Sequence, residues 1–341
     1  MELSIDKELI TSITEGVKKA QDSSIEYLEV FTNSEVLEGE NEFLFFIKPE
    51  LTLSSEDIKI DKIFEMIFAK MQEFNLSIKN INILSANYLD KNNIIAQHYG
   101  VINSIASDAK NNLSEAAHNK FKELFGKEVN DCNVLGGIEF LEKYDFFNPL
   151  SLEYLWQNNK NVKLAGGTYC EEIKMDSETV YLVNGFHPSQ LLHFTEKGRS
   201  IVTFTLVGNT NWSEARNNLI GATNPINAKE GSIRKILLEQ KEQFGLDQVS
   251  QGMNGVHLSA GALEGLVELK RYNSNYNLSN GEKNYNNFSF GKKLINTFPK
   301  DKVETIISNP NVEFEGKNIS LFDLTEEKNS EESISTLKEI F

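Results

Sequence analysis

The chain has 341 residues, 40% of them hydrophobic and 22 of them Phe, a globular composition that excludes an intrinsically disordered protein. Its 34 Lys and Arg against 50 Asp and Glu leave a net charge of -16, which argues against wrapping a nucleic-acid backbone but not against a nucleotide, whose phosphates need few cations in one cleft. Two cysteines, Cys132 and Cys170, are too few for a disulfide framework, and no run is long and apolar enough to span a membrane, so the expectation is a reduced, soluble, cytoplasmic protein.

Residues 1–41 read as a charged appendage, with a helix in ELITSITEGVKKA followed by the acidic, turn-rich TNSEVLEGENE. EFLFFIKPE, residues 42–50, is a strand stopped by Pro49, which leaves Lys48 at its mouth. Ile60, Ile63, Phe64, Ile67, Phe68, Met71 and Phe74 recur at helical spacing, which predicts an amphipathic helix whose stripe is core. LSIKNINIL, residues 76–84, alternates as a strand, and ANYLDKNNIIAQHYG predicts another helix. Residues 101–180 hold Asn-rich helical pieces and an AGGTY turn, and suggest no chemistry. VYLVN and RSIVTFTLVG read as strands separated by the helical HPSQLLHFTEKG. From residue 273 the chain is polar and low in complexity, then acidic, which predicts a tail or a loosely held subdomain.

NGVHLSAGALEGLVELK, residues 254–270, holds one histidine without metal-ligand spacing, and taken alone favours a core filler. RNNLIGATNPINAKEGSIR, residues 216–234, places two arginines around a Thr-Asn-Pro turn. Guanidinium forks and a threonine hydroxyl suit phosphate oxygens, although the same residues serve a solvated helix and loop equally well. His98, His118 and His193 read as ordinary helix or loop residues.

The motifs IKPE, QHY, RNNLIGATNP, GSIR and NGVHLSA occur in an order that resembles the nucleoside diphosphate kinase family, over residues 42–100 and 181–272. The resemblance implies an α/β (α+β) fold, a ferredoxin-like antiparallel sheet with helices. It places a kinase-like domain at 42–272, a mostly helical insertion at 101–180, and residues 1–41 and 273–341 outside it. By the same resemblance His257 is the nucleophile that carries a phosphate from an NTP such as ATP to an NDP, and Glu268 bonds its other ring nitrogen. Lys48 meets the sugar and the transferred phosphate, while Arg216, Thr223 and Arg234 hold phosphates. Asn254 bonds the ribose with Tyr99 and Ser259 in support, and the base stacks on Phe186 or His187. Mg²⁺ comes with the nucleotide rather than through a dedicated metal site, and the partners implied are nucleotides and a second copy of the chain. Leu258 and Ala260 stand where the family has Gly and Asp, and Arg216 lies one residue further from Thr223 than in the family. These departures carry a second reading, a nucleotide-binding or regulatory module with altered chemistry on the same fold.

Overall fold

The run Phe43–Ile47 has no polar position to turn to water, so a strand built from it has to be covered on both faces. The structure, a computed structural model that describes residues 7–53, 55, 57–175 and 178–341, buries all five of these side chains completely. The first six residues of the expected appendage and residues 176 and 177 of the expected insertion lie outside the described residues. In chain order the strands are β1 (Tyr27–Thr32), β2 (Asn41–Ile47), β3 (Ser77–Ser85), β4 (Asn133–Gly136), β5 (Val162–Ala165), β6 (Thr168–Met175), β7 (Glu178–Val183), β8 (Ser200–Gly208), β9 (Val256–Leu258), β10 (Asn311–Phe314) and β11 (Lys317–Ser320). The architecture is mixed α/β, and the chain divides into a larger unit, Met1–Tyr88 with Lys197–Phe341, and a smaller one, Leu89–Glu196.

The larger unit is built on a five-stranded sheet of order β1-β3-β8-β2-β9, antiparallel at every pairing. Alternation along β2 sends neighbouring side chains to opposite faces. Phe45 and its cross-strand partner Phe204 meet edge to face at 5.6 Å, and Phe204 meets Phe68 of the helix Ile60–Glu73 at 6.0 Å. Phe46 turns the other way and stacks on Tyr272 of the helix Ala262–Asn273 at 5.4 Å. No helix among the described residues is long and apolar enough to cross a membrane.

Both ends of the chain are more integrated than an appendage and a tail. β1 pairs with β3, and Ile10, Ile13, Val17 and Ala20 of the helix Lys7–Gln21 are buried, a three-four-three stripe that charged neighbours mask in the sequence. At the other end, the helices Ser289–Thr297, Lys300–Ile307 and Ser330–Lys338 bury Phe290, Leu294, Val303, Ile306, Ile334 and Leu337. Their polar residues serve as fasteners: the Glu42 carboxylate accepts from Ser289 N at 2.7 Å and Lys79 Nζ at 2.7 Å, and Asn41 Oδ1 accepts from Ser330 N at 3.1 Å.

The smaller unit is richer in helix than in strand but extends beyond the expected bounds of 101 and 180. It carries a mixed four-stranded sheet of order β4-β7-β6-β5, with β4 and β7 parallel. The VYLVN strand and the helix His187–Thr195, expected in the kinase-like domain, belong to this unit. One face of its sheet packs Cys170, Tyr181 and Val183 against Phe121, and the other packs Ile173, Val180 and Leu182 against Phe140, Leu152 and Trp156. The helix predicted from ANYLDKNNIIAQHYG breaks at Asn93, which adopts the left-handed conformation at φ 52.

Glu171 is 1% exposed in β6, and neither of its carboxylate oxygens meets a hydrogen-bond donor among the described residues. Burial pushes its carboxyl up to about 7. Because the folded chain then holds this proton more tightly than the unfolded chain, its stabilising contribution is full below about pH 4 and is lost as the pH rises to about 7. That loss is about 2–3 kcal/mol. Glu171→Gln is therefore expected to slow hydrogen exchange in β6 and β7 at pH 8, with the gain disappearing towards pH 4. A gain that is the same at both pH values would contradict this.

Candidate functional site

His257 lies on the edge strand β9 opposite Phe46 of β2. Directly paired residues on antiparallel strands share a face, so the two rings stack at 4.5 Å with an interplanar angle of 20°. Glu268, eleven residues on and 2% exposed, projects from the helix Ala262–Asn273 and places Oε2 3.1 Å from His257 Nε2. A buried carboxylate accepting from Nε2–H fixes the tautomer and leaves the ring's lone pair on Nδ1. The His257 side chain keeps 20% of its surface exposed. An imidazole oriented in this way is chemically equipped to act as a nucleophile or a base.

A second cluster forms where the chain leaves β2. Pro49 ends the strand, Lys48 N donates to Gly255 O at 2.9 Å, and Gly255 N donates to the buried Glu50 Oε1 at 2.9 Å. Gly255 sits at φ 81, and a Cβ there would run into Leu237 and Leu51, so only glycine fits this turn. Lys48 Nζ donates to Asn254 Oδ1 at 2.8 Å, while Asn254 Nδ2 donates to the carbonyls of Thr223 and Gln251, each at 3.1 Å. Burial holds the Lys48 amine below its ordinary range, opposed by Glu50 and assisted by the positive charge of Arg234.

Arg234 Nη1 donates to Gly221 O and Nη2 to Val256 O, both at 2.9 Å. It therefore braces the backbone next to His257. Removing a charged donor from two carbonyls costs about 2–3 kcal/mol, so Arg234→Ala is expected to lower the melting temperature by several degrees in the absence of any ligand. An unchanged melting temperature would show that the brace is dispensable.

Arg216 lies in the π-helical turn Ala215–Ile220 and spends its guanidinium on two carboxylates, Glu326 Oε1 at 2.9 Å from Nη2 and Glu327 Oε1 at 3.3 Å from Nε. Thr223 is exposed, and its carbonyl takes the Asn254 amide. Ser259 is fully buried, and its hydroxyl donates to Leu44 O at 3.3 Å, which makes it a structural clip between β9 and β2. Sequence reasoning missed Phe46, Glu50, Glu326 and Glu327. It also missed Glu264, one helical turn before Glu268, whose carboxyl is pushed up to about 8 by burial and by Glu268, with Arg216 working in the opposite direction. A four-residue interval on one helix was the available signal for Glu264.

Tyr99, Phe186 and His187 belong to the smaller unit. There, Tyr99 contacts His187 and Phe194 with ring centroids 6.4 Å apart in each case. Phe186 packs on Trp156 at 5.9 Å. His187 is fully buried with Nδ1 3.0 Å from Gln190 Oε1 and Nε2 3.1 Å from Asn103 Oδ1, and burial holds its pKa below the ordinary value. Within that unit both stacking candidates are packing residues.

No protein-family model matches the chain, and a search of curated proteins returns no match.

Proposed function

We propose that the chain is a phosphotransferase of the nucleoside diphosphate kinase type, moving the γ-phosphate of an Mg²⁺-bound NTP to an NDP through a phosphohistidine on His257. The observation that carries the reading is the contact between His257 Nε2 and the buried Glu268 carboxylate, because a residue serving only as packing has no need for a charged orienter. The strand order adds support. Counted along the chain from β2, the strands β2, β3, β8 and β9 lie in the order 4-1-3-2 across the sheet, the ferredoxin-like arrangement, with β1 added at one edge.

In this reaction the Nδ1 lone pair attacks the γ-phosphorus, the bond from phosphorus to the β-phosphate oxygen breaks, and the NDP leaves. The positive charge that develops on the ring is balanced by Glu268. A second NDP then attacks the phosphoimidazole through its terminal phosphate oxygen and restores the neutral ring. Lys48 and Arg234 supply positive charge near the transferred group, with Asn254 holding the Lys48 amine in place.

A second reading has its own observation. Arg216 is already engaged by Glu326 and Glu327, and Arg234 by two carbonyls, which suits a module that binds or senses a nucleotide without turning it over. Steady-state kinetics separate the two. The transferase predicts parallel double-reciprocal lines for NTP at several fixed NDP concentrations, the pattern of a covalent intermediate. Nucleotide binding without transfer would favour the module.

A further inference from the structure

The segment 323–330 lies on Arg216, the guanidinium that the resemblance assigns to phosphate, so the inference rests on the proposed phosphotransferase reading. Its backbone is fixed rather than loose. Glu327 N donates to Ala260 O at 2.8 Å, three residues beyond His257. Asn329 Oδ1 accepts from Trp212 N and from Asn41 Nδ2, each at 3.0 Å, and Asn329 Nδ2 donates to Asn211 Oδ1 at 2.8 Å. Leu321 and Thr325, on the other side of the two glutamates, are fully buried. The segment is thus pinned at both ends, with Glu326 and Glu327 aimed at Arg216 between the pins.

A free ion pair at a surface contributes little, because two long side chains have to be ordered to make it. Here a fixed backbone presents both carboxylates, and the ordering is largely complete before the pair forms. A guanidinium fork accepts carboxylate and phosphate oxygens with the same geometry, so the two compete for it. Glu264 faces the same arginine, whose positive charge opposes the rise of its carboxyl. We propose that Glu326 and Glu327 act as an internal anionic ligand of Arg216, a strap that a phosphate-bearing ligand displaces before it reaches that guanidinium.

The test uses the full chain and inorganic tripolyphosphate as the probe, so that it reads anion binding without requiring turnover. The Glu326→Gln/Glu327→Gln double variant keeps the backbone anchors and removes both charges. Its dissociation constant is expected to fall about five-fold at low salt, with the difference shrinking as salt screens the contacts. Adding Arg216→Ala to the double variant is expected to abolish the gain. Equal or weaker binding by the double variant, or a gain that survives Arg216→Ala, overturns the proposal. If the double variant melts early, Glu326→Gln alone is expected to give about a two-fold gain, and no gain overturns the proposal in the same way. Neutralising Glu313 and Glu315, at the turn between β10 and β11, controls for net charge, and an equal gain there is also contrary to the proposal. Failure of the phosphotransfer reading shows separately, as absence of protein-bound phosphate from γ-labelled ATP in every variant.

Discussion

His257→Ala is expected to abolish NTP-to-NDP transfer and protein phosphorylation while leaving nucleotide affinity within a few-fold of the unmodified protein. In the proposed reaction the ring provides the attacking lone pair on which the covalent intermediate depends. Glu268 complicates the comparison, because alanine leaves a carboxylate that is 2% exposed without the ring it faces. Removing one partner of a buried charge is costly enough to disturb folding. His257→Gln, whose amide offers Glu268 a donor, is therefore the companion variant. Both are expected to be inactive, and Gln is expected to melt closer to the unmodified protein. Transfer at the original rate by either variant would remove His257 from the reaction.

The second large effect is expected from Glu268→Gln. An amide oxygen still accepts the bond from Nε2–H, so the tautomer and ring position are kept while the negative charge is lost. What disappears is the balance for positive charge on the ring as phosphorus bonds to Nδ1, a cost felt in the transition state rather than on binding. A fall in kcat of about 100-fold with little change in KM is expected. Removing the Glu268 charge also removes one cause of the raised Glu264 carboxyl, which is expected to titrate nearer the ordinary carboxylate range. Equal losses in kcat and ground-state affinity would make Glu268 a packing residue.

The elements with a strong period were legible before the fold. β2 announced itself as an unbroken apolar run ended by Pro49, the helix Ile60–Glu73 as a three-four stripe, and β3 and β8 as strand-length segments. What escaped was pairing at long range. Nothing in TNSEVLEGENE or the preceding residues says that the chain at Tyr27 will meet Leu84, nor that Glu326 will meet Arg216 across 110 residues. The same applies to the split into two units: VYLVN reads as a strand, but its neighbours in β4 and β6 decide which sheet receives it.

The candidate site residues divide in the same way between what the sequence offers and what the fold adds. Lys48, Arg234, Asn254, His257 and Glu268 were singled out through the family resemblance, and all five lie in the larger unit. Their bonds were not readable, since Arg234 and Asn254 meet backbone carbonyls, which every residue carries and no motif can specify. Ser259 was misleading for a related reason. Its hydroxyl lies just past β9, fully buried, and bonds the Leu44 carbonyl, another backbone partner that residue type does not reveal.

The proposed reaction passes through a covalent phosphate on the His257 ring. Incubation with γ-labelled ATP and Mg²⁺, followed by peptide mapping, is expected to give a label that is stable in base, lost in acid, confined to the peptide containing His257, and discharged by an added NDP. Label that survives acid, maps to another residue, or is absent while the nucleotide is demonstrably bound would rule out the phosphohistidine.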